Sequence, residues 1–163
     1  MKLRIDAYAP ADAQAAADIW NEVVEAGLAF PQEDFLSAES GDRFFREQSF
    51  TGVARDAENG DVLGLYILHP NNVGRCGHIC NASYAVRGDL RGQSVGEALV
   101  RHCLQKGREL GFRILQFNAV VANNHSALRL YKKLGFTRIG TVPGGFRLKD
   151  GRFEDIVLFY HPL

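Results

Sequence analysis

A glycine-rich basic turn between an apolar run and an amphipathic run holds the residues best suited to chemistry. The apolar run, His78 to Val86, predicts a strand, and apolar residues recur at helical spacing from Val95 to Leu110. Gly111 then ends the predicted helix. A helix that begins in such a turn directs free backbone N–H groups and the positive end of its dipole at one point. Because Arg91 adds a full charge, the turn predicts an anion site, and the anion we expect is a pyrophosphate.

Two common nucleotide-binding patterns are absent from this turn. Neither G-x-x-x-x-G-K-[ST] nor G-x-G-x-x-G occurs in the chain. The segment Arg91-Gly92-Gln93-Ser94-Val95-Gly96 instead resembles the R-x-x-G-x-G loop of the GNAT family of N-acetyltransferases, which wraps the pyrophosphate of coenzyme A. Ser94 stands where the family usually has its middle glycine, and it can still offer its backbone N–H there if its φ stays negative. A glycine-softened turn that binds nothing is the alternative.

A second segment, Asn124 to Phe136, is similar to the N-x-x-A-x-x-L-Y-x-x-x-G-F helix of the same family. It follows an apolar run, Ile114 to Val121, which predicts a strand. The resemblance implies that Asn124 contacts the cofactor and that Tyr131 is the general acid for the departing thiolate. By residue type alone, Asn124 also fits an N-cap of the helix, and Tyr131 also fits a packing residue.

The resemblance implies both a fold and an acetyl donor. The expected fold class is α/β (α+β): a central mixed, mostly antiparallel sheet of about seven strands with helices on both faces, the fourth and fifth strands parallel and splayed. In the family, the pantetheine arm of acetyl-CoA lies between those two strands, which places Tyr84, Ala85 and Val86 beside it. The backbone N–H near Val86 would then be the oxyanion donor. The other implied cofactor-binding residues are Arg91, Gly92, Gln93, Ser94, Val95 and Gly96 of the loop, together with Asn124 and Tyr131.

Candidates for the acceptor site lie in a loop that has no clean period, Leu28 to Ser40. It contains aromatic residues such as Phe30, and proteins avoid exposing these unless something packs there. In the family, the segment after the first helix lines the acceptor pocket. Glu33 and Asp34 are therefore candidates to meet a cationic amine, with solvated surface acids as the alternative.

Two further acceptor candidates, His78 and Asn81, lie in the predicted central strand. Histidine titrates near neutral pH, so His78 is a candidate base, although a strand histidine is more often structural and many family members use a water chain. Asn81 needs a hydrogen-bond partner if it is buried. The segment Arg75 to Ala82 also resembles a short stretch of the yeast acetyltransferases of azetidine-2-carboxylate and related proline analogues. That resemblance implies that Asn81 contacts the acceptor and acts in catalysis.

Composition limits the classes of partner. The chain has 163 residues, which we expect to form a single domain, and its 19 basic and 19 acidic side chains cancel. Neutrality argues against nucleic acid or an anionic membrane as the main partner. No apolar run approaches a membrane span, and charges interrupt Met1 to Asp6, so we expect a cytoplasmic protein without a secretion signal. A small-molecule amine is the expected partner, and a homodimer stays open.

Cysteine usage predicts neither a disulfide frame nor a metal site. Three cysteines are an odd number for a reducing compartment. Cys76 and Cys80 flank His78, but on a strand they would stand roughly 13 Å apart. Ligands of one zinc ion cannot span that distance unless the chain bends at Gly77.

The remaining elements must position these residues. Trp20 is expected to anchor the core from the first helix. The predicted elements are a strand over Lys2–Tyr8, helices over Pro10–Ala26 and Asp42–Gln48, strands over Phe50–Arg55 and Val62–Leu68, a strand over Phe136–Val142, a turn at Pro143-Gly144-Gly145 and a strand over Asp155–His161. We therefore expect an N-acetyltransferase that moves an acetyl group from acetyl-CoA to a small amine or amino acid by direct attack in a ternary complex. A protein or peptide N-acetyltransferase and a non-catalytic acyl-CoA-binding module are the alternatives.

Overall fold

Seven strands of the described chain form one mixed sheet in the order β1-β2-β3-β4-β5-β7-β6. The computed structural model describes residues 1–90 and 92–163, so Arg91 lies outside the described residues. The strands are β1 (Leu3–Ala7), β2 (Phe50–Asp56), β3 (Val62–Pro70), β4 (Ile79–Val86), β5 (Ile114–Val121), β6 (Thr137–Arg147) and β7 (Phe153–Pro162). The helices in the same residues are α1 (Ala13–Ala26), α2 (Ala38–Arg46), α3 (Val95–Glu109) and α4 (His125–Lys133).

The contact between β4 and β5 differs from every other strand pairing in the described sheet. It is parallel, whereas the others are antiparallel. Its register has two pairs, Ile79 with Ile114 and Cys80 with Leu115, and beyond Cys80 the strands separate. The register of β5 against β7 also shifts between Phe117 and Val120, an irregularity of the kind that bends a strand. The predicted mixed sheet with parallel, splayed fourth and fifth strands is confirmed.

Helices cover both faces of the sheet. The apolar side chains of β3 alternate between these two faces, so both must be buried. Tyr66 and Leu68 are buried on the α3 side, and Leu65 and Ile67 are buried against α1 and α2. Trp20 anchors the apolar core on the α1 and α2 side of the sheet, as predicted, and is 1% exposed. Burial of side chains of this size stabilises the fold by about 1.5–3 kcal/mol each.

Several element boundaries differ from those predicted, and three of these differences are in α2, β3 and β6. Helix α2 begins at Ala38 rather than Asp42, because Ser37 and Ser40 exchange side-chain-to-backbone hydrogen bonds of 2.9 and 3.0 Å in a capping box. Strand β3 runs to Pro70 rather than ending at Leu68.

The third difference is in β6, which continues through the predicted turn at 143–145 to Arg147. Its register against β7 shifts between Val142 and Phe146, so the extra residues form a bulge. Gly145 packs closely there, since a Cβ at that position would lie 2.6 Å from the Cγ1 atom of Ile156. The glycines therefore serve a close approach between strands rather than a chain reversal.

No helix in the described part of the chain has the length and the apolar run that crossing a bilayer requires.

Candidate active site

The separation of β4 and β5 opens a cavity of about 380 Å³. We call it the splay cavity. Its walls come from both strands, from α4, from the loop between α1 and α2 and from the end of β3. The polar residues among them are Gln32, His69, Asn81, Ser83, Tyr84, Asn118, Asn124 and Tyr131.

Backbone groups of β4 alternate between its two neighbours. The carbonyl oxygen of Ile79 accepts from Asn71 N at 2.8 Å, and Arg87 N donates to the carbonyl of Leu63 at 2.9 Å, both on the β3 side. The carbonyl of His78 accepts from Arg113 N on the β5 side. Even-numbered residues of β4 therefore direct their N–H and C=O groups toward β5.

This alternation places three N–H groups, those of Ala82, Tyr84 and Val86, on the side where β5 has moved away. The Oδ1 atom of Asn81 accepts from Ala82 N at 2.8 Å. The N–H groups of Tyr84 and Val86 have no strand partner on that side among the described residues. An extended ligand could pair with them as an added strand does.

The loop before α3 has a left-handed backbone at two positions. Gly92 has φ +81°, and Ser94 has φ +63° and ψ 14° without a side-chain capping bond. The negative φ on which the sequence argument depended is therefore wrong for Ser94. The first intrahelical bond runs from Ala98 N to the carbonyl of Ser94 at 3.1 Å, so the N–H groups of residues 95–97 point out of the helix end. Strain of this kind in a non-glycine residue clusters at ligand sites.

Charges beside the loop are largely paired. Arg87, which lies near the loop, forms an ion pair with Asp89 at 2.7 Å. Glu97, in the first turn of α3, contacts Lys133 at 2.9 Å and Arg101 at 3.0 Å. The hydrogen bonds from these two cations lower the pKa of Glu97. An acid at the helix N-terminus is thus neutralised, and the Lys133 contact joins α4 to α3.

Tyr131 stands on α4 against a wall of aromatic rings. Its ring centroid lies 4.6 Å from that of Phe117, 5.3 Å from Phe136 and 5.7 Å from Phe159. Burial raises the pKa of Tyr131, so the hydroxyl keeps its proton at neutral pH. The hydroxyl makes no hydrogen bond to the described residues, which leaves it available to a ligand in the splay cavity.

Tyr84 and Asn124 also reach the splay cavity. The buried hydroxyl of Tyr84 has no hydrogen-bond partner in the described chain, and burial raises its pKa. Asn124 caps α4, since its Oδ1 atom accepts from Ala127 N at 3.3 Å. Its amide nitrogen donates no hydrogen bond to a described residue, so the capping role leaves the amide free for a ligand.

The acceptor candidates divide into two groups. Phe30 and Asn81 line the splay cavity, and the Phe30 ring lies 4.3 Å from the ring of Trp20. Phe30 also lines a second cavity of about 740 Å³ between the α1–α2 loop and the β6–β7 hairpin, where Glu33 pairs with Arg147 at 2.7 Å. Asp34 and His78 are exposed and line neither cavity; His78 precedes β4, at the end where β4 and β5 pair.

Sequence reasoning missed four polar residues that line the splay cavity: Gln32, His69, Ser83 and Asn118. Of these, His69 pairs with Asn81 in the β3–β4 register. The available signal was the alternation Leu65, Ile67, His69, which continues one face of the strand past its predicted end.

A family model described as the acetyltransferase (GNAT) family matches residues 16–136, most of the chain. The chain belongs to this family. This acetyltransferase is similar to N-acetyltransferase aca1 of Schizosaccharomyces pombe, at 29% identity over 158 residues, covering 86% of this chain and 76% of that relative. A GCN5-related N-acetyltransferase from Kribbella flavida has a TM-score of 0.90 and 34% identity, covering 99% of this chain and 98% of that chain.

A third relative shares the fold. A phosphinothricin acetyltransferase from Sinorhizobium meliloti, solved in complex with acetyl-CoA, has a TM-score of 0.91 and 24% identity, covering 100% of this chain and 89% of that chain. As a GNAT enzyme, this protein is an acetyl-CoA-dependent acyltransferase. Its splay cavity, with unpaired N–H groups on one wall, and the exposed N-terminus of α3 fit a pantetheine arm and a pyrophosphate.

Proposed function

We propose that the protein transfers an acetyl group from acetyl-CoA to the amine of a small acceptor, an amino acid or a proline analogue, in the cytoplasm. The splay cavity carries this proposal. It is small, and its polar lining offers amide, hydroxyl and imidazole groups to a compact acceptor. Phe30, whose ring lies 4.3 Å from the ring of Trp20, forms part of one wall of this cavity.

Most of the candidate cofactor residues have a defined task in this proposal. The N–H groups of residues 95–97 and the loop 91–94 bind the pyrophosphate, and the N–H groups of Tyr84 and Val86 pair with the pantetheine arm. Acetyl-CoA, when bound, supplies an activated thioester. The Tyr84 N–H is the donor that polarises its carbonyl, because Val86 lies roughly 16 Å along β4 from Asn81 at about 3.3 Å per residue. The free amide of Asn124 orients the arm.

The other tasks concern the acceptor and the protons. Asn81 uses its side-chain oxygen on Ala82 N, so its amide N–H₂ is the group that orients the acceptor. Tyr131 supplies a proton to the departing sulfur, since burial keeps its hydroxyl protonated. Phe30 and Glu33 extend the acceptor site toward the second cavity.

The test is release of free thiol from acetyl-CoA with a panel of acceptors. The panel contains azetidine-2-carboxylate, proline, phosphinothricin and short peptides with free N-termini. Turnover of a small amine and not of the peptides supports the proposal, and the reverse supports a peptide N-acetyltransferase. Tight binding of acetyl-CoA without turnover of any acceptor would leave a non-catalytic acyl-CoA-binding module. Gly96→Asp, which puts an acid at the helix N-terminus, is the control that should lose acetyl-CoA binding.

A further inference from the structure

His69 differs in chemistry from every other residue that lines the splay cavity. The described lining contains no carboxylate, lysine, arginine or cysteine. Its other titratable side chains are Tyr84 and Tyr131, and burial raises the pKa of both. Histidine is the side chain that exchanges protons between pH 5 and 8. Of the residue types in this lining, the imidazole of His69 is therefore the one suited to take up a proton from an amine during the reaction.

The hydrogen bonding of His69 fixes which ring nitrogen is available. Its Nδ1 atom lies 3.0 Å from the carbonyl oxygen of Pro70. A carbonyl oxygen only accepts, so Nδ1 carries the hydrogen in the neutral ring. The lone pair then resides on Nε2, and the Pro70 carbonyl stabilises the ring when Nε2 also gains a proton.

The sheet places this imidazole on the acceptor side of the cavity. His69 lies opposite Asn81 in the β3–β4 register, so the two side chains share one face. That face is the one on which Leu65 and Ile67 pack against Trp20 and the α1–α2 loop. Tyr84 and Tyr131 pack on the α3 and α4 side. The candidate base and the candidate acid thus approach the gap between β4 and β5 from opposite faces.

A hydrogen bond beside His69 braces its position. Asn71 lies directly after β3. Its side-chain oxygen accepts a hydrogen bond of 2.6 Å from the side-chain nitrogen of Asn118 on β5. This contact crosses over β4 and joins the strands that flank it. The backbone that carries His69 is thereby held relative to the far wall of the cavity.

From this geometry we infer that His69 is the general base that removes a proton from the acceptor amine; the inference rests on the function proposed above. The amine nitrogen forms a bond to the acetyl carbonyl carbon, and the carbon–sulfur bond of the thioester breaks. The proton from nitrogen goes to Nε2 of His69, and the thiolate leaves with a proton from Tyr131. Water then returns His69 and Tyr131 to their starting states, so the sum is amine plus acetyl-CoA to amide plus thiol.

The experiment compares His69→Gln with His125→Gln, using the panel amine that wild type turns over fastest. Glutamine keeps a hydrogen-bonding side chain but cannot take up a proton. His125 is an exposed histidine on α4 that lines neither cavity, so its variant should behave as wild type. For His69→Gln we expect kcat at saturating amine and pH 7 to fall by about 10²- to 10⁴-fold. The acetyl-CoA dissociation constant should stay unchanged.

Other outcomes overturn the inference. His69→Gln with wild-type kcat would do so, and so would an equal loss of kcat in His78→Gln. His69→Asn is a second variant in case the first melts early, and it must show the same loss. A wild type that binds acetyl-CoA but acetylates no amine refutes the proposed function itself, whereas an active wild type with an unaffected His69→Gln refutes the base alone.

Discussion

At the scale of single residues, Tyr131 offers the cleanest separation of packing from proton transfer. In Tyr131→Phe the ring keeps its contacts with Phe117 and Phe136, and no hydrogen bond to a described residue is lost. We expect kcat to fall by about 10²- to 10⁴-fold, because general acid catalysis is lost. Steady-state kinetics should show this with an unchanged melting temperature and acetyl-CoA affinity.

The matched control for that variant is Tyr160→Phe on β7, which lines neither cavity. Because burial raises the pKa of Tyr131, the wild-type kcat should show no basic limb from this group below pH 10. Full activity in Tyr131→Phe would show that water or the acceptor protonates the sulfur.

Replacement of Ser94 by glycine should stabilise the protein. A non-glycine residue at φ +63° carries a steric cost of about 1 kcal/mol, which glycine avoids. Ser94→Gly should therefore raise the free energy of unfolding by about 0.5–1 kcal/mol, and acetyl-CoA affinity should hold or improve. Denaturant melts measure the first and titration calorimetry the second.

Ser94→Ala is the control, since alanine keeps the left-handed strain and the serine side chain makes no capping bond. It should match wild type. Equal stability of the glycine and alanine variants would mean that the loop is unstrained at this position.

Tyr131 and Asn124 could be proposed from sequence because the resemblance to a family motif covers both residues, and the motif lies within one helical segment. The contribution of His69 could not be predicted, because it depends on which strand lies beside β3 and on how far β4 and β5 separate. The left-handed φ of Ser94 was missed for a similar reason: the residue type disfavours it, and the surrounding loop imposes it.

At the scale of elements, an ion pair joins the α1–α2 loop to the end of β6. Glu33 contacts Arg147 at 2.7 Å beside the second cavity, and both side chains are exposed. Glu33→Arg and Arg147→Glu should each change the acceptor KM several-fold by loosening the loop. Each should cost less than about 1 kcal/mol of stability, since exposed pairs contribute little.

The double variant, Glu33→Arg with Arg147→Glu, restores an opposite-charge pair. Its acceptor KM should return toward wild type, and high salt should reduce the differences among all four proteins. If the double variant is as impaired as the worse single variant, the individual side chains contact the acceptor and the pair does not act as a brace.

Element order was predictable where apolar alternation or helical spacing was strong, as in β5 and α3. Boundaries failed where side chains acted locally. Ser37 caps α2 together with Ser40, which takes the place of the usual Glu or Gln. In β6, the Pro-Gly-Gly segment predicted a turn, but the strand continues through it with a bulge.

At the scale of the whole molecule, a buried ion pair makes stability depend on pH. Asp12 accepts two hydrogen bonds from Arg55, at 2.7 and 2.6 Å. Burial alone would raise the pKa of Asp12, but the hydrogen bonds from Arg55 and from Ala9 N and the charge of Arg55 outweigh it and lower the pKa. The pair therefore stabilises the fold above the unfolded carboxyl pKa of about 3.9, and this contribution is lost as pH falls through the lower folded value.

Asp12→Asn should lower the free energy of unfolding by about 2 kcal/mol at pH 7, because it removes the carboxylate that accepts two hydrogen bonds from Arg55 and leaves that side chain with Asp6 alone, at 3.5 Å. The gap from wild type should narrow as pH falls below about 4. Asp18→Asn, at an exposed position of α1, should change stability by less than about 0.5 kcal/mol. Urea melts at several pH values measure both, and a gap that does not depend on pH would contradict the assignment.

The splay also divides the sheet mechanically. Strands β1 to β4 form one part of the sheet, and β5, β7 and β6 form the other. In the described chain, two residue pairs between β4 and β5 join the two parts. A ligand in the gap would hold the two parts of the sheet together, because it would hydrogen-bond to β4 and pack against β5. Amide hydrogens of Tyr84 and Val86 should exchange quickly in the free protein and slowly with acetyl-CoA, while those of β2 and β3 hardly change. Bound acetyl-CoA would then stabilise the sheet during each turnover. Its departure as free coenzyme A would weaken the contact between β4 and β5 and so ease release of the acetylated product.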